Sequence, residues 1–471
     1  MKWIVATFAV VAMLLLPEGY ASESRTVTVH YTQRDQQAVR YEYVPFTVAP
    51  GTTRIAISYT YDKAGGANAV DLGLYEPGPL TLGTTALRGW SGGDQDAITI
   101  GVDRSSPGYW PGPIPSGEWH VQLGLYKVGP SGVDVHVTIE TSDTPVSGAA
   151  PAITKRSTAA LRTGPGWYAG SMHTHTKNSD GILTPEQLAD KARADGLDFL
   201  IITDHNNTVH QLAAIDRADL LVISGEEVTT PGGHFNVWGL TGERAYIDFR
   251  ILPGDPAIRT VMKEARARGA LVSINHPITD CFACSWTHEI PGEVNAMEIQ
   301  NGPALMRPQQ MALWDGLLRE GRRITAVGES DWHRGPLPVS MPSVRVWAPE
   351  LSTSAILNAI RDGHVIIVAN GKLPTPELTV TAGGRRFHVG DQVSVQPGDP
   401  LAVSVNLPEP GYEGARADLV WSGEVVETAK GSDVRFDRAV PFSGYLRVHV
   451  VNGDGSLLAV TNPVFVKATT R

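Results

Sequence analysis

The chain has 471 residues, of which 42% are hydrophobic and 19% are charged, as in folded globular proteins. Because a single domain usually holds about 100 to 200 residues, we expect about three domains. The 49 glycines and 33 prolines stay below the share, roughly a quarter, that marks low-complexity disorder. A formal net charge of −10 at pH 7 disfavours the net-basic surface by which proteins bind nucleic-acid duplexes.

The first residues predict export from the cytoplasm. Lys2 precedes an apolar run, residues 3–16, that is too short to span a bilayer, and small residues follow at Gly19 and Ala21. We expect a signal peptide over residues 1–21, cleaved near Ala21, and therefore a periplasmic or secreted protein; the alternative is a buried N-terminal helix. No cysteine follows this run and no later stretch approaches about 18 apolar residues, so we expect no membrane anchor.

The chain has only two cysteines, Cys281 and Cys284, so its fold does not depend on a network of disulfides. In an oxidising compartment the pair favours a disulfide within a tight loop. Two free thiols or metal ligation remain alternatives, although a four-ligand zinc site would need a second pair of ligands of this kind.

Two flanking regions read as all-β domains. Short alternating stretches bounded by Gly, Pro or Asp predict a jelly-roll-like β-sandwich over residues 22–145 and an immunoglobulin-like β-sandwich over residues 373–471. Residues 146–164 are rich in Pro, Ala, Ser and Thr and indicate a linker.

The middle region, residues 165–372, has short apolar runs without strict alternation, as strands buried on both faces require. One intervening segment has the marks of a helix: Thr184 as N-cap, Pro185 at the first turn, Gln187 as the capping-box partner and Gly196 as the stop. Further helices are expected near residues 256–268, 308–321 and 352–362. Strands that alternate with helices predict an α/β barrel.

Residues of metal-binding type follow many of these apolar runs. Because the carboxyl ends of parallel strands meet at one face of a barrel, we expect these residues to converge there. Imidazole and carboxylate suit Zn, Mn or Fe, and a carboxylate can bridge two cations. The set comprises His173, His175, Asp180, His205, Glu227, His276, Asp331 and His333, together with His234 at the start of a run.

The motifs HTHTKNSDG, TDHN, GEEVTT, GHFN, NHP and SDWH, between residues 173 and 333, resemble those of the polymerase-and-histidinol-phosphatase (PHP) superfamily. With the flanking β-domains, the chain resembles the exported carbaryl-hydrolase-like branch of that superfamily. The resemblance implies a distorted (β/α)7 barrel that holds two or three divalent ions.

The resemblance also implies a division of the ligands among the ions. It gives a first ion to His173, His175, Glu227 and Asp331, a second to Glu227, His234 and His276, and a third to Asp180, His205 and His333.

Some assignments stay open. Many members of the superfamily carry His at the position of Asp180, which points to a weaker third site or a harder cation. The Gly-x-Glu spacing of the superfamily implies Glu227 rather than Glu226 as the bridging ligand, with Glu226 as a helper or a structural residue. Asp204 is interpreted either as a partner that orients a ligand imidazole or as a turn-capping residue. Residues 89–93 match the Gly-x-Ser-x-Gly string of serine hydrolases, but we interpret them as a Gly-rich loop of the first β-domain.

These observations favour an exported metal-dependent hydrolase of a soluble, small-molecule phosphomonoester or phosphodiester. Asp331 would orient the attacking hydroxide, the leaving oxygen would take its proton from His205, His234 or a second water, and Arg334 is a candidate contact for the phosphate. A carbamate or carboxylic ester hydrolase that uses the same site is the first alternative, and a zinc amidohydrolase is another. The alternative from a different class is a non-catalytic binding protein with a degenerate barrel.

Overall fold

The computed structural model describes residues 22–146, 159–303 and 307–469. The predicted signal peptide and most of the predicted linker lie outside these residues. Three regions follow one another in the chain: an N-terminal β-domain, a central α/β region and a C-terminal β-domain. In the part of the chain that the structure describes, no helix is both long and apolar enough to cross a bilayer.

The N-terminal domain contains two four-stranded antiparallel sheets, in the orders β1-β8-β3-β6 and β2-β7-β4-β5. Its elements are β1 (Glu23–Tyr31), α1 (Gln33–Ala38), β2 (Tyr41–Val48), β3 (Arg54–Tyr61), β4 (Ala69–Tyr75), β5 (Leu87–Gly92), β6 (Ala97–Gly101), β7 (Gly117–Lys127) and β8 (Val133–Ser142). Alternate residues of both sheets, such as Ile57 and Leu123, share one buried core. Eight strands in two facing sheets fit the predicted jelly-roll-like sandwich.

The central region supplies nine strands and four α-helices among the described residues. They are β9 (Arg162–Ser171), α2 (Pro185–Ala194), β10 (Phe199–Ile202), β11 (Leu221–Thr230), β12 (Gly233–Trp238), α3 (Ala257–Ala267), β13 (Leu271–Ile274), β14 (Ala296–Asn301), α4 (Pro308–Arg319), β15 (Thr325–Glu329), β16 (Ser343–Leu351), α5 (Thr353–Arg361) and β17 (Val365–Val368). The predicted capping of α2 is confirmed, since the side chains of Thr184 and Gln187 each bond the backbone N–H of the other.

The structure does not show the predicted (β/α)7 barrel. Strands β9, β10 and β11 are parallel neighbours, as are β13, β14 and β15, but β12 pairs antiparallel with both β11 and β13, and β16 pairs antiparallel with β9 and β17. Strands β11 and β12 are antiparallel because only a two-residue turn, Pro231 and Gly232, connects them. Two residues can join antiparallel strands, whereas parallel strands need a longer crossover.

A residue of the C-terminal domain joins two central strands that share no ladder hydrogen bonds. The Oδ1 atom of Asn462 accepts from the N–H of Ala326 in β15 at 2.8 Å. Its Nδ2 donates to the carbonyl of Ala326 at 2.8 Å and to that of Val365 in β17 at 2.9 Å. The buried amide therefore replaces the missing ladder between β15 and β17.

The C-terminal domain continues the central sheet, because β17 pairs antiparallel with β26. Its strands are β18 (Glu377–Ala382), β19 (Arg385–Phe387), β20 (Gln392–Val395), β21 (Pro400–Asn406), β22 (Arg416–Trp421), β23 (Glu424–Lys430), β24 (Asp433–Ala439), β25 (Gly444–Val451), β26 (Leu457–Thr461) and β27 (Val464–Ala468). A separate sheet, β19-β18-β21-β24, shares a buried core with the strands of the continued sheet. This two-sheet arrangement fits the predicted C-terminal sandwich.

Candidate metal centre

Six strands of the central region bring the predicted ligands together. His173 and His175 follow β9, His205 follows β10, His276 follows β13, and Asp331 precedes His333 after β15. Glu227 and His234 differ from the prediction, because β11 continues through Glu227, and β12, which carries His234, folds back beside it. Thr229 is the direct partner of His234 in this hairpin, which places Glu227 two residues along the same face.

The backbone at this centre is held in an uncommon conformation. Asn206, His276 and Asp331 have φ values of 53°, 25° and 48°. Non-glycine residues rarely adopt positive φ, and such conformations persist where the surrounding structure enforces them, often at functional sites.

The Glu227 carboxylate lies at the middle of the imidazole cluster. Five imidazole nitrogens lie within 3.5 Å of its oxygens. They are His205 Nδ1 at 2.9 Å, His173 Nε2 at 3.2 Å, His234 Nδ1 at 3.2 Å, His276 Nε2 at 3.3 Å and His175 Nε2 at 3.5 Å. The amide of Asn275 donates to Oε1 at 2.8 Å and fixes the orientation of the carboxylate.

Asp331 approaches the same histidines from the end of β15. Its Oδ1 lies 3.0 Å from His175 Nε2 and 3.2 Å from His173 Nε2. Its Oδ2 accepts from the side-chain amide of Asn301 at 3.3 Å. Two carboxylates, Glu227 and Asp331, therefore face the His173–His175 pair.

A third carboxylate, Asp180, lies toward the cavity. Its Oδ2 is 3.2 Å from His333 Nε2, and its Oδ1 is 3.7 Å from His205 Nε2 and 3.9 Å from His175 Nδ1. The rings of His175 and His333 stack with centroids 4.0 Å apart. Asp180 thus occupies a position suited to a ligand despite its difference from the histidine of many superfamily members.

The electrostatics of the cluster favour ionised carboxylates. Burial would raise the pKa of Glu227, but His173, His205 and His234 hold it well below its usual value. Burial acts the same way on Asp331, whose pKa is held well below its usual value by His173 and His333.

The histidines respond according to their neighbours. Burial would lower the pKa of His173, but Asp331, Glu227 and Glu298 raise it well above its usual value. For His175, burial and the adjacent His333 and His205 lower the pKa to about 4.

Several polar atoms of the cluster are buried without a hydrogen-bond partner, which shows whether these residues fit a cation. Four ligand atoms among the described residues are buried and make no hydrogen bond. They are His173 Nε2, Asp180 Oδ1, His234 Nε2 and His276 Nδ1. Such atoms cost free energy unless something else binds them. Imidazole and carboxylate donors suit a divalent ion, so the residues fit the predicted metals.

Ligand atoms that lie within 4.8 Å of one another form three groups in the described part of the chain. The groups are His173, His175 and Glu227; His205, Glu227 and His234; and His175, Asp180, His205 and His333. They differ in part from the predicted division, because His205 also lies with Glu227 and His234. Asp331, predicted for the first ion, and His276, predicted for the second, join none of these groups, although each contacts residues of the cluster. All nine predicted ligands are nevertheless in one cluster, while their roles as ligands stay predictions.

Glu298 is a buried residue of this centre that the sequence analysis did not identify. Its Oε1 lies 2.6 Å from His173 Nδ1, and its Oε2 accepts from the N–H of His276 at 2.7 Å and from Asn301 Nδ2 at 2.9 Å. A carboxylate in this position orients a ligand imidazole. The available signal was an acidic residue inside the otherwise apolar run AMEI of β14.

Asp204 and Glu226 have structural surroundings. Asp204 accepts from the N–H and hydroxyl of Thr176 at 2.7 and 2.8 Å and from the Ser179 hydroxyl at 2.9 Å, which supports the turn-capping interpretation. Its nearest imidazole is that of His210, at 3.4 Å, outside the predicted ligand set. Glu226 is buried on the other side of β11 and accepts from the N–H of Ile247 at 2.8 Å.

A cavity of about 530 Å³ opens onto the cluster. Arg334 lines it and donates to the carbonyl of Asp180 at 2.9 Å. The opposite wall comes from the N-terminal domain, including Trp90 and Ser91 of the Gly-x-Ser-x-Gly string. Residues 89–92 of that string lie in strand β5 rather than in a loop, and the Ser91 hydroxyl is hydrogen-bonded to that of Tyr109 at 2.9 Å.

The Cys281–Cys284 loop also borders this cavity. The two cysteines form a disulfide, as the sequence favoured, and both line the cavity with Thr279. The aromatic ring of Phe282 in this loop contacts that of Tyr126 from the N-terminal domain, with centroids 5.5 Å apart.

Residues 171–267 match the family model described as the PHP domain. This segment contains His173, His175, Asp180, His205, Glu227 and His234. The central region is thus similar to the PHP domain over these residues, while the carbaryl-hydrolase-like branch stays a prediction.

Relatives of known name or structure match only in part. A 3',5'-nucleoside bisphosphate phosphatase from Chromobacterium violaceum is 31% identical over 98 residues, which cover 20% of this chain and 32% of the relative. The chain thus spans about a third of the length of that curated relative.

Two solved structures are similar at 18% identity. A two-domain protein from Bacteroides vulgatus, containing a predicted PHP-like metal-dependent phosphoesterase, is covered fully and covers 66% of this chain, with a TM-score of 0.37. An amidohydrolase from Chromobacterium violaceum, with bound sulfate and no metal, is covered to 87% and covers 35% of this chain, with a TM-score of 0.25. Scores this low carry no argument about function.

Proposed function

We propose that the protein is an exported metal-dependent hydrolase of phosphoester bonds, in a phosphodiester or a phosphomonoester. The observation that carries the proposal is the Glu227 carboxylate with five imidazole nitrogens within 3.5 Å, at the wall of a cavity. The PHP-domain match supports it, as does the partial similarity to a phosphatase. Two or three ions of Zn, Mn or Fe are proposed as cofactors.

The nine clustered residues would hold these ions. Divalent ions at such a site lower the pKa of water and neutralise the charge that develops on phosphoryl oxygens. Asn301 fixes the Asp331 carboxylate, which in this proposal orients the water that attacks phosphorus. As the new P–O bond forms, the ester P–O bond breaks and the leaving oxygen takes a proton.

The remaining roles fall to residues along the cavity. His205 and His234 both line it, and either one, when it is not bound to an ion, is a candidate proton donor to the leaving oxygen; a second water is the alternative. Nε2 of His234 has no hydrogen-bond partner among the described residues, whereas His205 Nδ1 contacts Glu227. Arg334, at the same cavity, presents guanidinium donors to a phosphoryl group.

Metal analysis and a substrate panel on the purified full chain test this function. We expect at least one divalent ion per chain and turnover of an aryl phosphodiester or phosphomonoester. Since they remove ligands, His173→Ala and Asp331→Asn should lower kcat/KM more than about 100-fold. The matched control is His136→Ala, which alters an exposed histidine of the N-terminal domain and should leave kcat/KM unchanged.

Three outcomes would contradict parts of the proposal. Turnover of an aryl carbamate without any phosphoester would move the function to the carbamate alternative. A fully active His173→Ala would refute the site. A chain with far less than one metal ion per molecule and no turnover would favour a non-catalytic binding protein.

Export is a separate part of the proposal. It rests on the N-terminal residues and is supported by the Cys281–Cys284 disulfide, because such bonds persist in oxidising compartments. Mass spectrometry of protein recovered from the periplasm or medium should show a chain that starts close to Ser22. Retention of residues 1–21 in the cytoplasm would contradict export.

A further inference from the structure

The cavity at the metal centre has two walls of different origin. One wall is the cluster of predicted ligands, and the other belongs to the N-terminal domain. Its side chains there include Asp71 of β4, Trp90 of β5, Asp94 and Tyr126 of β7. A volume of about 530 Å³ is within the range of sites that enclose a small organic molecule.

The charges of the N-terminal wall are negative. Apart from the nine predicted ligands, the formally charged side chains that line the cavity are Asp71, Asp94 and Arg334. Burial and the nearby Asp180 raise the pKa of Asp94, although Arg334 acts in the opposite direction. One arginine therefore faces two carboxylates.

Asp71 lines the cavity farther along the N-terminal wall, on β4. No side chain of the described residues makes an ion pair or hydrogen bond with it. Arg40 is the cation that acts most strongly on the pKa of Asp71, but its guanidinium lies over the ring of Tyr126, 5.5 Å from the centroid. Burial raises the pKa of Asp71 to about 7, although Arg40 and His205 lower it.

Asp71 is half-buried, and a partly desolvated carboxylate without a cationic partner is stabilised by a bound cation. The adjacent aromatic residues, Tyr126 and Trp90, can also contribute, since aromatic faces attract organic cations. A second phosphate in the same place would be repelled by Asp71 and Asp94.

We infer that the cavity selects phosphoesters whose second substituent is a positively charged amine, and that Asp71 contacts this amine. The inference rests on the proposed function, because the phosphoryl group is assigned to the metal centre. It places the choice of substrate on the N-terminal domain, opposite the reacting groups.

Binding of phosphonates tests the inference without turnover. Aminoethylphosphonate and ethylphosphonate differ only in the amine, and calorimetry on the metal-loaded full chain measures both affinities. We expect the amine to bind at least about 10-fold more tightly, as a close charge pair allows. Equal affinities in the unaltered protein would overturn the inference without recourse to a variant.

Two aspartate variants make the test specific to one residue. Asp71→Asn should bring the two affinities within about threefold, because it removes the charge and keeps the shape. The control is Asp96→Asn, an exposed residue of the same domain whose contact is a 3.8 Å ion pair with Lys63, and it should keep the preference. A preference that survives in Asp71→Asn would overturn the assignment of this residue.

A matched pair of substrates separates this inference from the proposed function. In p-nitrophenyl aminoethyl phosphate and p-nitrophenyl ethyl phosphate the leaving group is the same, so the preference should appear in KM. Equal KM values with good turnover would overturn the inference and leave the phosphoesterase function in place. No turnover of either compound, with the phosphonate preference intact, would overturn the function and support the cation site.

Discussion

Glu298 and His173 are joined by a contact of 2.6 Å between Oε1 and Nδ1, and both side chains are completely buried. The carboxylate accepts the Nδ1 proton and leaves Nε2 directed toward Glu227 and Asp331, each 3.2 Å away. This contact fixes the orientation of the His173 ring, as the proposed role of His173 as a metal ligand requires.

Glu298→Gln should therefore weaken metal binding, because the amide orients the imidazole less well and does not increase its basicity. We expect a loss of about 10- to 100-fold in metal affinity, measured by competition with a chelator. The exposed Glu320→Gln is the control and should keep the affinity of the unaltered protein. An unchanged affinity in Glu298→Gln would show that the contact is structural.

Asn462→Ala should destabilise the central region, because it leaves the N–H and the carbonyl of Ala326 without their side-chain partner. Unsatisfied buried groups cost about 1–3 kcal/mol each, so we expect a comparable loss in the free energy of unfolding in urea. Gln396→Ala, an exposed amide in the same domain, should change it by less than about 0.5 kcal/mol. Equal stability of the two variants would contradict the bridging role of Asn462.

The ion pair of Asp315 with Arg447 links α4 to the C-terminal domain. Both side chains are buried, and Arg447 Nη2 donates to Asp315 Oδ2 at 2.9 Å, while the Tyr445 hydroxyl donates to Oδ1 at 2.6 Å. Asp315→Ala leaves a buried guanidinium without its counter-charge and should cost about 3–5 kcal/mol.

The double variant Asp315→Leu with Arg447→Met removes both charges and should recover much of that loss. Urea unfolding of both proteins measures the difference. A double variant that is less stable than Asp315→Ala would show that the polar contacts of this pair outweigh the cost of burying it.

Asp71 should make stability depend on pH. Its pKa rises on folding from 3.8 to about 7, so the folded state retains the proton more strongly than the unfolded state. The unaltered protein should therefore lose stability as the pH rises from about 4 to 7, and Asp71→Asn should lack this loss.

The stability advantage of Asp71→Asn should be small at pH 4 and on the order of 1–3 kcal/mol at pH 8. Urea unfolding of both proteins at the two pH values, with the same metal content, gives this difference. Asp96→Asn should show no such trend. An advantage that is independent of pH would contradict the burial of an ionised Asp71.

Local patterns in the sequence predicted much of the centre. The helix caps at Thr184 and Gln187 are formed by neighbours in the chain, so their residue types indicate the helix start directly. His173 and His175 were recognisable because they follow an apolar run, and the carboxyl ends of parallel strands converge.

Features that depend on distant contacts could not be predicted in the same way. The turn at Pro231 and Gly232 was visible as a turn signal, but only the pairing of β11 with β12 shows that Glu227 lies inside a strand. Asp71 lies more than a hundred residues before the ligands that it faces. Its place in the cavity depends on how the N-terminal domain packs, which leaves no local pattern.

The bridge through Asn462 has a consequence for the modularity of this protein. Because β26 extends the central sheet and Asn462 closes the gap between β15 and β17, the last hundred residues are a structural part of the central region rather than an appendage. A truncated chain that ended at residue 372 would leave the edges of β15 and β17 open to pairing with other molecules, and so would be prone to aggregate.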